Sequence, residues 1–113
     1  MSREYVDYIA DIAESVEDIL AFTAGMSYQD FTNDKKTQYA VIRSLEIMGE
    51  AAKKIPDSIR EKYPGVPWRQ MAGTRDKLIH EYHGVDLSII WAVVEDELPN
   101  VKPAIDRLAS DYL

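Results

Sequence analysis

The sequence predicts an all-α fold, a four-helix up-down bundle with short extra helices, in a single domain spanning residues 1–113. Three observations carry that expectation. Apolar residues recur at steps of three and four over long stretches, as on one face of a helix. No segment alternates apolar and polar residues as a half-buried strand does. Breaks at Pro56 and at Pro64-Gly65-Val66-Pro67 separate the periodic stretches.

Tyr5, Ile9, Ile12, Val16, Ile19, Leu20 and Thr23 predict a first helix from about Arg3 to Gly25 or Met26. The polar stretch Ser27 to Asn33 reads as a loop, and Thr32-Asn33-Asp34 offers N-cap candidates for the next helix. That second helix, about Asp34 to Ile55, carries the stripe Val41, Leu45, Met48, Ala52 and Ile55. Ile42 and Ile47 widen it, which predicts the most buried helix of the molecule. Pro56 stops it. Asp57 to Tyr63 reads as a short amphipathic piece with Ile59 and Tyr63 inward. A third helix begins near Pro67 or Trp68, carries Met71, Ala72, Leu78, Ile79 and Tyr82, and ends at His83-Gly84-Val85. Asp86 caps a fourth, with Leu87, Ile90, Trp91 and Val94 on one face. Pro99 is placed to open a last helix carrying Val101, Ala104, Ile105, Leu108 and Tyr112.

With 113 residues the chain has enough length for one modest core. It contains no cysteine, which excludes disulfides and thiolate metal sites. Its N-terminus starts in charged amphipathic sequence without a signal-peptide core, and no apolar run approaches the roughly 18 residues of a membrane span, so a cytoplasmic protein away from membranes is expected. The net charge of −7 argues against a generic nucleic-acid coat protein. The charge is unevenly spread. From Lys35 to Lys77 ten basic residues face five acidic ones, a net +5, against three basic and fifteen acidic elsewhere, a net −12. The middle of the chain can present a local positive surface to phosphates, or its helices can simply be solvated by mixed charge.

On a helical wheel Trp68, Met71, Ala72, Ile79 and Tyr82 fall within about 100° of one another, with Arg75 in the middle of that arc. A guanidinium there needs an anion. A carboxylate such as Glu46 or Glu50 can supply it, or a phosphate can, which the planar fork of arginine suits. Asp76 and His80 are four apart and share a face, so the carboxylate can fix one imidazole nitrogen and leave the other for proton transfer. The same spacing also describes a plain surface pair. Arg75 and His80 are five apart, about 140° around a helix, so a single straight helix does not aim both at one phosphate. Two copies of the helix across a symmetric dimer would.

His83 reads as a loop or capping residue. A metal site through His80, His83 and Glu81 fits ligand spacing poorly, and neither metal nor cofactor is expected. There is no glycine-rich phosphate loop and no Gly-x-Ser-x-Gly, so P-loop chemistry and the usual acyl-transfer nucleophiles lack support. Trp68 and Trp91 sit among aliphatics at helical spacing and read as core.

Arg75, polar Asp76, His80 and Tyr82 resemble the Arg-polar-x-x-x-His-x-Tyr signature of HEPN-domain proteins. The likeness is closest to the HepT toxin branch, in which a HEPN ribonuclease is encoded beside a minimal nucleotidyltransferase antitoxin. Ile47-Met48-Gly49-Glu50-Ala51-Ala52, Pro67-Trp68-Arg69-Gln70-Met71-Ala72-Gly73 and the stretch His80 to Trp91 carry it, over about Tyr39 to Pro99. The resemblance implies a HEPN-like bundle and a homodimer with the two motifs facing each other. It implies metal-independent cleavage of RNA, and not of DNA, with His80 as base or acid, Arg75 stabilising the transition state and Asp76 orienting either. It also implies inhibition by adenylylation of Tyr82 by the antitoxin, as in a type VII-like toxin–antitoxin pair. The alternatives are a non-catalytic helical module that binds a nucleotide or a protein, and a structural bundle whose Arg75 is ion-paired in the core.

Overall fold

The computed structural model describes residues 3–80 and 86–113, with side chains described for 5–74 and 86–113. Every regular element among them is helical. In chain order these are α1 (Arg3–Thr23), α2 (Tyr28–Thr32), α3 (Lys35–Lys54), α4 (Asp57–Arg60), α5 (Trp68–His80), α6 (Leu87–Ala92), a π-helical segment (Val93–Glu97) and α7 (Leu98–Tyr112). The all-α bundle expected from the periodicity is therefore observed. α3 packs along both α1 and α5, α7 packs on α1, and α2 bridges α3 and α6.

The helix ends follow local chemistry. α1 ends at Thr23, whose hydroxyl donates to the Ile19 carbonyl at 2.8 Å. Gly25 follows with φ +76, a backbone state that glycine enters without a Cβ clash. Asp34 caps α3 by accepting the Thr37 N–H at 3.0 Å. That bond holds the Asp34 carboxyl below its ordinary pKa. Ile55 closes α3 in extended backbone just before Pro56.

One expectation is corrected. Residues 27–33 are not a loop, because Tyr28–Thr32 is a helical turn with a full capping box. The Ser27 hydroxyl accepts the Asp30 N–H, and the Asp30 carboxylate accepts the Ser27 N–H. Phe31, fully buried, anchors this turn. Pro99 stands in the first turn of α7, as expected, though α7 continues directly from the π-helical segment before it. Helical backbone runs from Leu87 to Tyr112 without a break, and the turn before Pro99 widens so that the Leu98 N–H bonds the Val93 carbonyl five residues back. The proline ring would crowd the carbonyl four residues before it in a tight α-turn, and the widened turn relieves that clash.

The core joins all the long helices. Ile9, Ile12, Val16 and Ile19 of α1 meet Val41, Leu45, Met48 and Ala52 of α3, with Ile105 and Leu108 of α7 beneath. Ile42 and Ile47 are half-buried. Both tryptophans are core residues, as their setting in the sequence suggests. Trp91 packs on Phe31 with ring centroids 5.2 Å apart. Lys102 ties α7 to α1 through Glu17 at 3.1 Å, an exposed contact of small energetic weight.

Candidate active site on helix α5

Helix α5 is anchored at its start. The Trp68 indole N–H donates to the Tyr63 carbonyl at 3.1 Å, and the Arg60 guanidinium lies 5.9 Å from the Trp68 ring centroid. Arg60 also donates to the carbonyls of Ala52 at 2.6 Å and Ile55 at 2.9 Å. These carbonyls lie at the C-terminus of α3, where a cation is favoured, and the Ala52 carbonyl also accepts the Ile55 N–H at 3.3 Å. One side chain thus joins the end of α3 to the beginning of α5. Arg60→Ala is expected to cost about 2 kcal/mol in urea unfolding, because two charge-assisted bonds and the stacking go together. Arg60→Lys should recover less than half, since an ammonium lacks the fork that reaches both carbonyls.

A second brace lies below. The Tyr63 hydroxyl donates to the Asp111 carboxylate, and the Tyr63 and Tyr112 rings stand 6.1 Å apart. The bond to Asp111, more than burial, pushes the phenol up to about 12. A folded value above the unfolded one, about 10, means that this brace contributes fully below pH 10 and is lost as the pH rises toward 12. Near-ultraviolet titration should show one late-ionising tyrosine, absent in Tyr63→Phe.

Trp68 and Met71 are buried, so the first turn of α5 faces the core as the wheel predicts. Arg75, Asp76 and His80 lie on this same helix, and their side chains fall outside the described residues. The backbone places Asp76 and His80 one turn apart, and sets Arg75 and His80 about 140° apart around the axis. Tyr82, Glu81 and His83 lie outside the described residues altogether. Glu46 and Glu50, the carboxylates considered for Arg75, are half-buried on α3, with Glu46 3.7 Å from Arg43. Any pairing of either with Arg75 lies outside the described residues. Among the described residues no group of three or more histidines and carboxylates is placed to hold a metal ion. No helix there is long and apolar enough to cross a membrane.

One feature near the motif has no counterpart in the sequence reading. A cavity of about 190 Å³ opens between α5 and α7. Gln70, Met71 and Thr74 line one side, and Val93, Leu98 and Val101 the other.

A helical bundle with a buried-anchored helix carrying Arg75, Asp76 and His80 in the HEPN pattern defines the class as HEPN-like. A family model described as "Ribonuclease HepT-like" matches residues 12–108, most of the bundle and more than the stretch from Tyr39 to Pro99. The chain is 49% identical over 108 residues to a protein of Thermococcus cleftensis named "Probable ribonuclease HepT", covering 96% of this chain and 98% of the relative. It is 46% identical over 109 residues to a provisionally named RNase of Methanocaldococcus jannaschii, covering 96% and 90%. A provisionally named RNase of Caldanaerobacter subterraneus is 42% identical over 101 residues, covering 89% and 90%. No solved structure matches the chain. The chain belongs to the HepT-like ribonuclease family.

Proposed function

We propose that this protein is a metal-independent endoribonuclease that acts as a homodimer, the toxin of a toxin–antitoxin pair. The observation that carries the reading is the Arg75–Asp76–His80 spacing on one continuous, core-anchored helix in a chain of the HepT-like family. His80 removes the proton from a ribose 2′-hydroxyl. The 2′-oxygen attacks the phosphorus, the bond to the 5′-oxygen breaks, and that oxygen takes up a proton from an imidazolium. Arg75 meets the extra negative charge on the phosphorane-like transition state. Asp76 orients His80. Because Arg75 and His80 sit about 140° apart on α5, a dimer that brings two copies of the helix together supplies both groups to one phosphate.

Tyr82 lies seven residues after Arg75 in the chain, two helical turns if α-helical register continues. Adenylylation there by a minimal nucleotidyltransferase partner would place phosphate charge and bulk beside the anion site and repel RNA. The test is cleavage of a single-stranded RNA in chelator, beside the same RNA with one 2′-deoxy residue. The expected result is cleavage in chelator that leaves 2′,3′-cyclic phosphate ends and disappears at the deoxy position. Cleavage that survives the deoxy substitution, or that needs added metal, would overturn the mechanism. Co-expression with a minimal nucleotidyltransferase antitoxin should add whole adenylyl units to the wild-type mass and none to Tyr82→Phe.

A further inference from the structure

We propose that the cavity between α5 and α7 is a base-specificity pocket that holds one guanine of the RNA substrate next to the scissile phosphodiester. The proposal rests on the ribonuclease reading above. Its location comes first: Thr74, on the cavity wall, is the chain neighbour of Arg75. A base held here is therefore within one nucleotide of the motif helix, and exposed Arg69 lies on the same element toward the solvent.

Size limits the occupant. A dry protein cavity of about 150 Å³ accepts one benzene ring. At about 190 Å³ this one takes a single heteroaromatic base and leaves ribose and phosphate outside. Its deep wall is apolar, from buried Leu45, Met48, Met71 and Ile105, which suits the faces of a flat ring. The polar groups gather at the mouth, where Gln70, Glu97 and Asn100 are exposed.

Those groups discriminate among bases. A carboxylate only accepts hydrogen bonds, and the two amides can donate. Guanine offers two adjacent N–H groups, at N1 and N2, to the Glu97 carboxylate, and its O6 and N7 accept from an amide. Adenine and cytosine turn a ring-nitrogen lone pair toward the carboxylate. Uracil sets its single ring N–H between two carbonyls that repel it.

The backbone is shaped for this pocket. In an α-helix Leu98 would stand about 140° around the axis from Val93. The π turn, with its bond from the Leu98 N–H to the Val93 carbonyl, brings both residues onto the cavity wall. Widened turns of this kind are often found at functional sites.

The experiment has two readouts on the full chain. The first maps cut positions on an unstructured RNA of mixed sequence. Cuts beside guanosine should be enriched at least about tenfold in wild type, and Glu97→Gln should bring that below about threefold, the loss of one charge-assisted bond pair. The second measures binding of GMP, AMP, CMP and UMP to His80→Ala protein by ligand-detected saturation transfer, which does not depend on cleavage. GMP should bind preferentially, and Glu97→Gln or the cavity-filling Val101→Trp should remove the preference. Glu97→Gln changes one exposed atom, so the test stays readable even where Val101→Trp fails to fold. GMP binding without cleavage of any RNA would remove the ribonuclease reading and leave the pocket standing. Cleavage indifferent to base, a preference for another base, or a Val101→Trp effect on subunit association alone would overturn the pocket.

Discussion

His80→Ala is expected to cleave RNA about 10² to 10⁴ times more slowly than wild type, the range lost when a positioned acid–base group is removed. The size of the effect follows from the geometry of α5. Its first turn is fixed by Trp68 and Met71 in the core and by the Arg60 bridge to α3, so residues further along inherit a defined axis. On such a helix Asp76, one turn before His80, can accept one imidazole N–H and leave the other nitrogen for the ribose hydroxyl. Asp76→Asn should therefore slow cleavage less than His80→Ala does, because it loosens an orientation and leaves the imidazole in place. Arg75→Ala should cost about 10² to 10³, the usual loss of one group that stabilises transition-state charge. The double variant His80→Ala with Arg75→Ala should be little worse than His80→Ala alone, since groups that act as a unit are not additive. Equal rates for His80→Ala and wild type, with matching urea midpoints, would overturn the assignment.

Much of the fold is legible because helix signals are local. The three-and-four spacing of Ile9, Ile12, Val16 and Ile19 locates α1, and Asp34 and Ile55 bound α3 to the residue. Asp86 caps α6 by accepting the Ser88 N–H at 2.9 Å. The misread segment is one where a local rule competes with a tertiary contact. Residues 27–33 look polar, yet Ser27 and Asp30 form a capping box and one apolar residue, Phe31, is enough to hold the turn when Trp91 receives it. Pro99 stands in the first turn of α7 as its residue type suggests, while the widened turn before it, which joins α7 to α6, has no local signal in the sequence.

The site divides in the same way. Arg75, Asp76 and His80 lie within six consecutive residues, so their register on one helix follows from the sequence alone. The cavity could not be found that way. Its walls come from Leu45 on α3, Met71 on α5 and Val101 on α7, residues far apart in the chain that only packing unites. Each of the three reads in the sequence as an ordinary core position. What distinguishes them is a gap between helices, and a gap has no periodicity.

Phe31→Ala is expected to destabilise the protein by about 3–5 kcal/mol, the cost of emptying a buried aromatic site. For a domain whose total stability is on the order of 5–15 kcal/mol, that is enough to leave a substantial unfolded fraction at physiological temperature. The site has little room to collapse. Phe31 is fully buried against Trp91, and its helical turn is pinned to α3 by the Gln38 side-chain amide, which donates to the carbonyls of Phe31 at 2.8 Å and Thr32 at 3.1 Å. The void would therefore persist beside α6, the first described element after the motif. Phe31→Leu should cost less than half as much, because it keeps most of the apolar volume. Tyr28→Ala should cost under about 1.5 kcal/mol: Tyr28 packs on Trp91 from further out, with centroids 6.3 Å apart, and is 42% exposed. Urea unfolding of the three variants ranks them, and a Phe31→Ala midpoint within about 1 kcal/mol of wild type would mean that α2 is not the wedge between α3 and α6 that its packing indicates.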